Sequence, residues 1–221
     1  MGQGRISRRL ALAAGAAGAM ALAGCGGGGG DALAPSAASA AQVTAVTATL
    51  DEAETAALRY MREEEKLAHD VYTALYAVWG TKVFANIADS ETTHTEAIRA
   101  LLEKYGVDDP AAGKPAGVFE DPALQALYDK LVAMGNQDQI EALKVGALIE
   151  ETDVRDIVAK QAITDNSDIL TVYGNLLCGS GNHLRAFNEQ LLARGVTYVP
   201  QVITQQEWDA IATAEAVACG G

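Results

Sequence analysis

From about residue 51 onward, apolar residues recur three and four positions apart, with polar residues filling the gaps. One run is Leu58, Met61, Ala68, Tyr72, Leu75 and Trp79; a second is Phe84, Ile87, Ile98, Leu101 and Tyr105. A third holds Leu143, Gly146 and Ile157, and a fourth Ile169, Val172, Leu176, Gly179 and Ala186. This period belongs to a helix with one face turned toward a core. Glycine and proline set the limits. The first long helix is expected from about Asp51 to Trp79, before Gly80, and the second from about Lys82 to Tyr105, before Gly106. Val107 to Glu120 holds Pro110, Gly113, Pro115 and Gly117 and is expected to be a loop. Asp121-Pro122 opens a short helix to about Met134, with Pro at its first position, and Gly135-Asn136 breaks it. The third long helix is expected from about Asp138 to Gln161. The fourth starts with Ser167 or a neighbour as its cap and reaches Ala193. Thr204-x-x-Glu207 has the form of a capping box and opens a short last helix. Strict alternation is nowhere long enough for a sheet, and Pro200 interrupts the extended-looking piece Val196 to Val202. The pattern predicts an all-α fold.

The connections add a topology. The first two long helices are joined by a short link, as are the last two, so each pair should form an antiparallel hairpin. Between the pairs lies a long connection carrying its own short helix. A four-helix bundle with one long crossover in that place has ferritin-like topology.

The stripes are not purely apolar. Glu65 takes the inward position between Met61 and Tyr72, and Glu91-x-x-His94 sits in the middle of the second stripe. Ionisable groups in such positions are costly unless they pair or bind a metal. In ferritin-like di-iron bundles two helices each give a Glu and the other two each give Glu-x-x-His. Residues i and i+3 share one helix face, so one helix can hold an ion with both groups. Glu65 is the candidate from the first helix; its neighbours Glu63 and Glu64 leave the seam and are expected to face solvent. His69 drifts off the stripe and is expected to be a supporting or surface histidine. Glu150 is the candidate from the third helix, followed one turn later by Asp153. Glu151 competes with Glu150, because Ile140, Ala147, Val154 and Val158 form a second stripe with it. On the fourth helix Tyr173, Leu176, Ser180, His183, Phe187 and Leu191 share a face. Its counterpart of Glu-x-x-His is Ser180-Gly181-Asn182-His183, which lacks the Glu. Asp153 is the candidate to replace that carboxylate; otherwise one ion is weakly held or the site takes a single ion. Iron is the first expectation for the metal, with zinc or manganese as alternatives. A metal-free polar network is the other reading, opposed by the mutual repulsion of so many carboxylates.

The ends of the chain bear on location. Arg5, Arg8 and Arg9 precede an apolar run from Leu10 to Ala23, the layout of a secretory signal over residues 1–24. Leu22-Ala23-Gly24-Cys25 resembles a bacterial lipobox, in which the Cys becomes lipidated, and Ser7-Arg8-Arg9 resembles a twin-arginine signal. Residues 25–43, rich in Gly, Ala, Ser and Pro, are expected to be a tether, leaving residues 44–221 as one domain. The expected location is extracytoplasmic, anchored to a bacterial membrane through Cys25. The net charge of −13 becomes −16 once the three arginines of the leader are removed. That balance argues against nucleic acid as a partner. Cys178 and Cys219 are candidates for a disulfide in an oxidising compartment, or for two unpaired small residues.

The blocks Glu63-Glu64-Glu65-Lys66-Leu67-Ala68-His69-Asp70-Val71-Tyr72, Ile87-Ala88-Asp89-Ser90-Glu91-Thr92-Thr93-His94, Gly146-Ala147-Leu148-Ile149-Glu150-Glu151-Thr152-Asp153 and Gly179-Ser180-Gly181-Asn182-His183-Leu184-Arg185-Ala186-Phe187 resemble domain of unknown function family 2202. The resemblance covers about Ala53 to Ile211. It implies a ferritin-like fold and a di-iron site, and it implies no substrate. Ser180 departs from the wider ferritin-like ligand pattern.

Three functional readings follow. The first is a lipid-anchored iron protein reacting with oxygen or peroxide, an oxidoreductase of ferroxidase or peroxidase type. Tyr72 or Tyr173 would then be packing residues or outer-sphere groups. The chain has no Cys-x-x-Cys pair, so reductive turnover would need an external electron donor. The second is a non-catalytic metal-binding or metal-sensing module, and the third a metal-free structural bundle. Self-association through the bundle surface is open to each.

Overall fold

The computed structural model describes residues 49–219; the signal segment, Cys25 and the tether to residue 43 lie outside the described residues. Six helices follow one another: α1 (Glu52–Trp79), α2 (Lys82–Tyr105), α3 (Pro122–Gly135), α4 (Gln139–Gln161), α5 (Ser167–Leu192) and α6 (Gln205–Ala212). No strand occurs among the described residues, so the fold is all-α. Local chemistry explains the limits. Asp51 and Glu54 form a reciprocal capping box at the start of α1, and Thr204 and Glu207 form another at α6. Asp121 and Asp138 accept backbone N–H groups at the starts of α3 and α4. Gly80 closes α1 at φ 64°, a left-handed conformation that residues with a Cβ rarely take.

Cross-helix pairs set the directions. Glu65 meets His94 while Arg62 reaches Thr95, so α1 and α2 are antiparallel. Glu150 meets His183 and Gly146 faces Phe187, so α4 and α5 are antiparallel too. Tyr72 reaches Glu150 while Tyr60 reaches Asp156, which sets α1 against α4 in opposite senses. Ser90 with His183 and Tyr105 with Asp168 do the same for α2 and α5. Hence α2 and α4 run the same way, and residues 106–138 must cross the length of the bundle. Along that crossing α3 packs on α1 and α4, and Trp79 Nε1 donates to the Gly135 carbonyl at 2.8 Å.

Glu63 and Glu64 are buried, contrary to the solvent-facing positions expected of them. The stripe rule allows α1 one inward face, whereas α3 and its leading loop cover a second. Glu63 accepts the backbone N–H of Glu120, and that of Asp121 at 2.9 Å, where α3 begins. Cys178 and Cys219 are joined as a disulfide with a Cα–Cα distance of 5.7 Å, tying the segment after α6 to α5. None of the described helices is long and apolar enough to cross a membrane.

The apolar core comes in two clusters. One holds Tyr72, Phe84, Leu143 and Phe187; the other holds Met61, Ile98, Ile157 and Tyr173. Between them, at one level on all four long helices, the core is polar.

Candidate metal centre

That level brings together Glu65 of α1, Glu91 and His94 of α2, Glu150 of α4 and His183 of α5, all buried. His94 Nδ1 lies 2.9 Å from Glu91 Oε2 and 3.2 Å from Glu65 Oε2. His183 Nδ1 lies 2.8 Å from Glu91 Oε1 and 3.4 Å from Glu150 Oε2. Two sets of ligand atoms result, Glu65–Glu91–His94 and Glu91–Glu150–His183, each with its atoms within 4.8 Å of one another. Glu91 belongs to both and gives one oxygen to each.

The surrounding residues fix the rings. Ser90 Oγ bonds His183 Nε2 at 2.9 Å and leaves Nδ1 to face the carboxylates. The far side of the His94 ring rests on Gly179, where a Cβ would fall 2.5 Å from Nε2. The two imidazoles stack with centroids 5.5 Å apart. Tyr72 donates to Glu150 Oε1 at 2.6 Å and so turns Oε2 toward His183. Ser180 spends its hydroxyl on the Leu176 carbonyl at 3.1 Å, so no side chain fills the place of the missing Glu.

The remaining candidates lie elsewhere. Glu151 points away from the centre and accepts from the Tyr198 hydroxyl at 2.6 Å and from the N–H groups of Gln201 and Val202 at 3.0 and 3.1 Å. Asp153 is buried beside the centre but belongs to neither ligand set. His69 pairs with Asp70 at the edge of α1. Tyr173 is buried in the second apolar cluster.

Without an ion, protons must balance the charge. Burial disfavours the imidazolium of both histidines, but their carboxylate neighbours outweigh it and raise His94 to about 11 and His183 to about 10. Burial pushes Glu65 up to about 8 and raises Glu150. Glu91 is also desolvated, yet the two histidines hold it below the usual carboxylate range. Even so, Glu65 Oε1, Glu91 Oε1, Glu150 Oε2 and His183 Nδ1 are fully buried with no hydrogen-bond partner. Nitrogen and oxygen 2.8 Å apart without hydrogen-bond alignment are placed as two ligands of one ion are placed. The donor set of carboxylate oxygens and imidazole nitrogens suits iron, manganese or zinc.

Sequence reasoning gave no role at the site to Ser90 or Gly179, and it placed Glu64 at the surface. Gly179 could have been found, because a glycine on an inward stripe opposite a histidine leaves room for a ring. Ser90 carries no such signal.

Residues 54–215 match the family described as an uncharacterized protein domain, DUF2202. Over 162 residues the chain is 48% identical to the uncharacterized protein MJ0754 of Methanocaldococcus jannaschii, covering 73% of this chain and 88% of that protein. It superposes on the crystal structure of hypothetical protein MJ0754 from Methanococcus jannaschii with a TM-score of 0.76 at 45% identity, covering 77% of this chain and 97% of the other.

Proposed function

The chain belongs to the DUF2202 family, and from the geometry of its buried centre we propose that it is a ferritin-like protein holding two metal ions, iron in the first place, on Glu65, Glu91, His94, Glu150 and His183. The observation that carries this reading is the pair of overlapping groups, Glu65–Glu91–His94 and Glu91–Glu150–His183, buried at one level of the bundle with ligand atoms within 4.8 Å of one another and several oxygens and the His183 Nδ1 without a hydrogen-bond partner. Unpaired charges there would oppose folding; shared between two cations they become ligands.

Each residue has a task. Glu91 bridges the two sets, while Glu65 and Glu150 terminate them. His94 and His183 offer Nδ1, held in place by Gly179 and Ser90. The protons on these groups leave when an ion enters, so binding releases acid and weakens as the pH falls. Two iron ions would supply one-electron redox chemistry toward oxygen or peroxide. The apolar clusters on either side keep bulk water away, and an external donor would return electrons. The reading includes export and anchoring of this domain through a lipid on Cys25.

Oxygen uptake after anaerobic Fe(II) loading tests it. Stoichiometric uptake, lost in a Glu91→Ala/His94→Ala variant, is the expected result. Bound iron without oxygen or peroxide consumption would favour a non-catalytic metal-binding or sensing module, a reading that the absent carboxylate at Ser180 supports. No bound metal would leave a structural bundle.

A further inference from the structure

A second group of partnerless oxygens lies outside the five-residue centre. Asp153 is 1% exposed, and neither of its carboxylate oxygens has a hydrogen-bond partner. Glu64 is 3% exposed and leaves Oε2 in the same condition, while Oε1 accepts from the Tyr60 hydroxyl at 3.2 Å. Both side chains line one cavity of about 20 Å³ beneath α3, walled by leucines of α1, α3 and α4. None of Glu65, Glu91, His94, Glu150 and His183 lines it. That volume admits a single water-sized species. Two lining residues with three partnerless carboxylate oxygens offer hard oxygen ligands to one small cation in a hole of this size.

We infer that Glu64 and Asp153 bind a third divalent cation in the cavity beneath α3, separate from the two-ion centre. This assigns to Asp153 a task other than replacing the carboxylate missing at Ser180. The site is not sealed from the surface. Tyr60 bonds Asp156 as well as Glu64, each at 3.2 Å, and Asp156 is partly exposed beside Arg155. Asp156 and Glu64 are thus linked through the Tyr60 hydroxyl, and Glu64 shares the cavity with Asp153. With two carboxylates and no imidazole, the site should bind about tenfold or more weakly than the centre.

The test is a Mn(II) titration of the full chain, with free Mn(II) followed by electron paramagnetic resonance, beside Glu64→Gln, Asp153→Asn and Glu91→Ala/His94→Ala. Circular dichroism would show that each is folded. Expected are three ions for the parent, two tight and one weak. Glu64→Gln and Asp153→Asn should each lose only the weak ion. The double variant should lose tight binding and keep the weak ion, so failure of the centre and failure of this site are separable. Saturation at two ions with Glu64→Gln unchanged would overturn the inference. Loss of a tight ion in Asp153→Asn would overturn it also, by placing Asp153 in the centre.

Discussion

Glu150 and Glu151 are neighbours on α4, and both are 0% exposed. Glu151 is fully occupied: a tyrosine hydroxyl and backbone N–H groups from residues 201–202 surround it. Glu150 accepts from the Tyr72 hydroxyl and leaves its other oxygen unspent. Glu63 and Glu64 on α1 repeat the contrast. Glu63 anchors the N–H groups where α3 begins, and Glu64 keeps an oxygen free beside a cavity. Burial of a carboxylate thus says little about chemistry. The lone pairs left over after folding separate a structural anchor from a ligand.

The contrast can be broken by substitution. Glu151→Ala should give the largest loss of stability, about 3 kcal/mol, because it strands several buried donors at once. Urea denaturation would measure it, and bound metal should be unchanged. Gly179→Ala comes next. Its Cβ would collide with the His94 ring, costing about 1–3 kcal/mol as overpacking does, and metal analysis should show one tight ion fewer. Glu65→Gln should leave the metal-free protein within about 1 kcal/mol of the parent near neutral pH, because burial keeps Glu65 protonated to about 8 and the amide is close in shape and also uncharged. Its metal content should nevertheless fall, the opposite of Glu151→Ala.

A gradual effect is expected with pH. His94, His183 and Glu65 hold their protons to about 11, 10 and 8, above the values of an unfolded chain. The folded metal-free protein therefore binds more protons than the unfolded one, and its stability falls as pH rises from about 4.5 toward 11. Thermal melts in chelator should show that decline, and a divalent ion occupying the centre should flatten it. A flat profile in chelator would mean that the carboxylates and histidines do not share protons as their spacing requires.

Much of the architecture is legible in the sequence, since each long helix keeps a regular stripe and the first two end at glycines, Gly80 and Gly106. The inward ionisable groups are legible for the same reason: Glu65, Glu91 and His183 interrupt otherwise apolar runs. The Glu150–Glu151 choice is not, because α4 is covered on two faces: Ala147 and Val154 of the second stripe are buried, although Val158 is exposed. The burial of Glu63 and Glu64 escapes a one-face rule in the same way, because α3 returns to cover α1 from a distance in the chain. Long-range hydrogen bonds such as Ser90 to His183 leave no local pattern at all.

The central claim is that the carboxylate oxygens and imidazole nitrogens gathered at one level of the bundle are ligands. Elemental mass spectrometry of the full chain, produced with iron and purified without a His tag, tests it most directly when run beside Glu91→Ala/His94→Ala. Near two tightly held ions per chain, absent from the variant, is the predicted result. A folded helical protein that takes up no metal, even after anaerobic addition of Fe(II) or Zn(II), would contradict it.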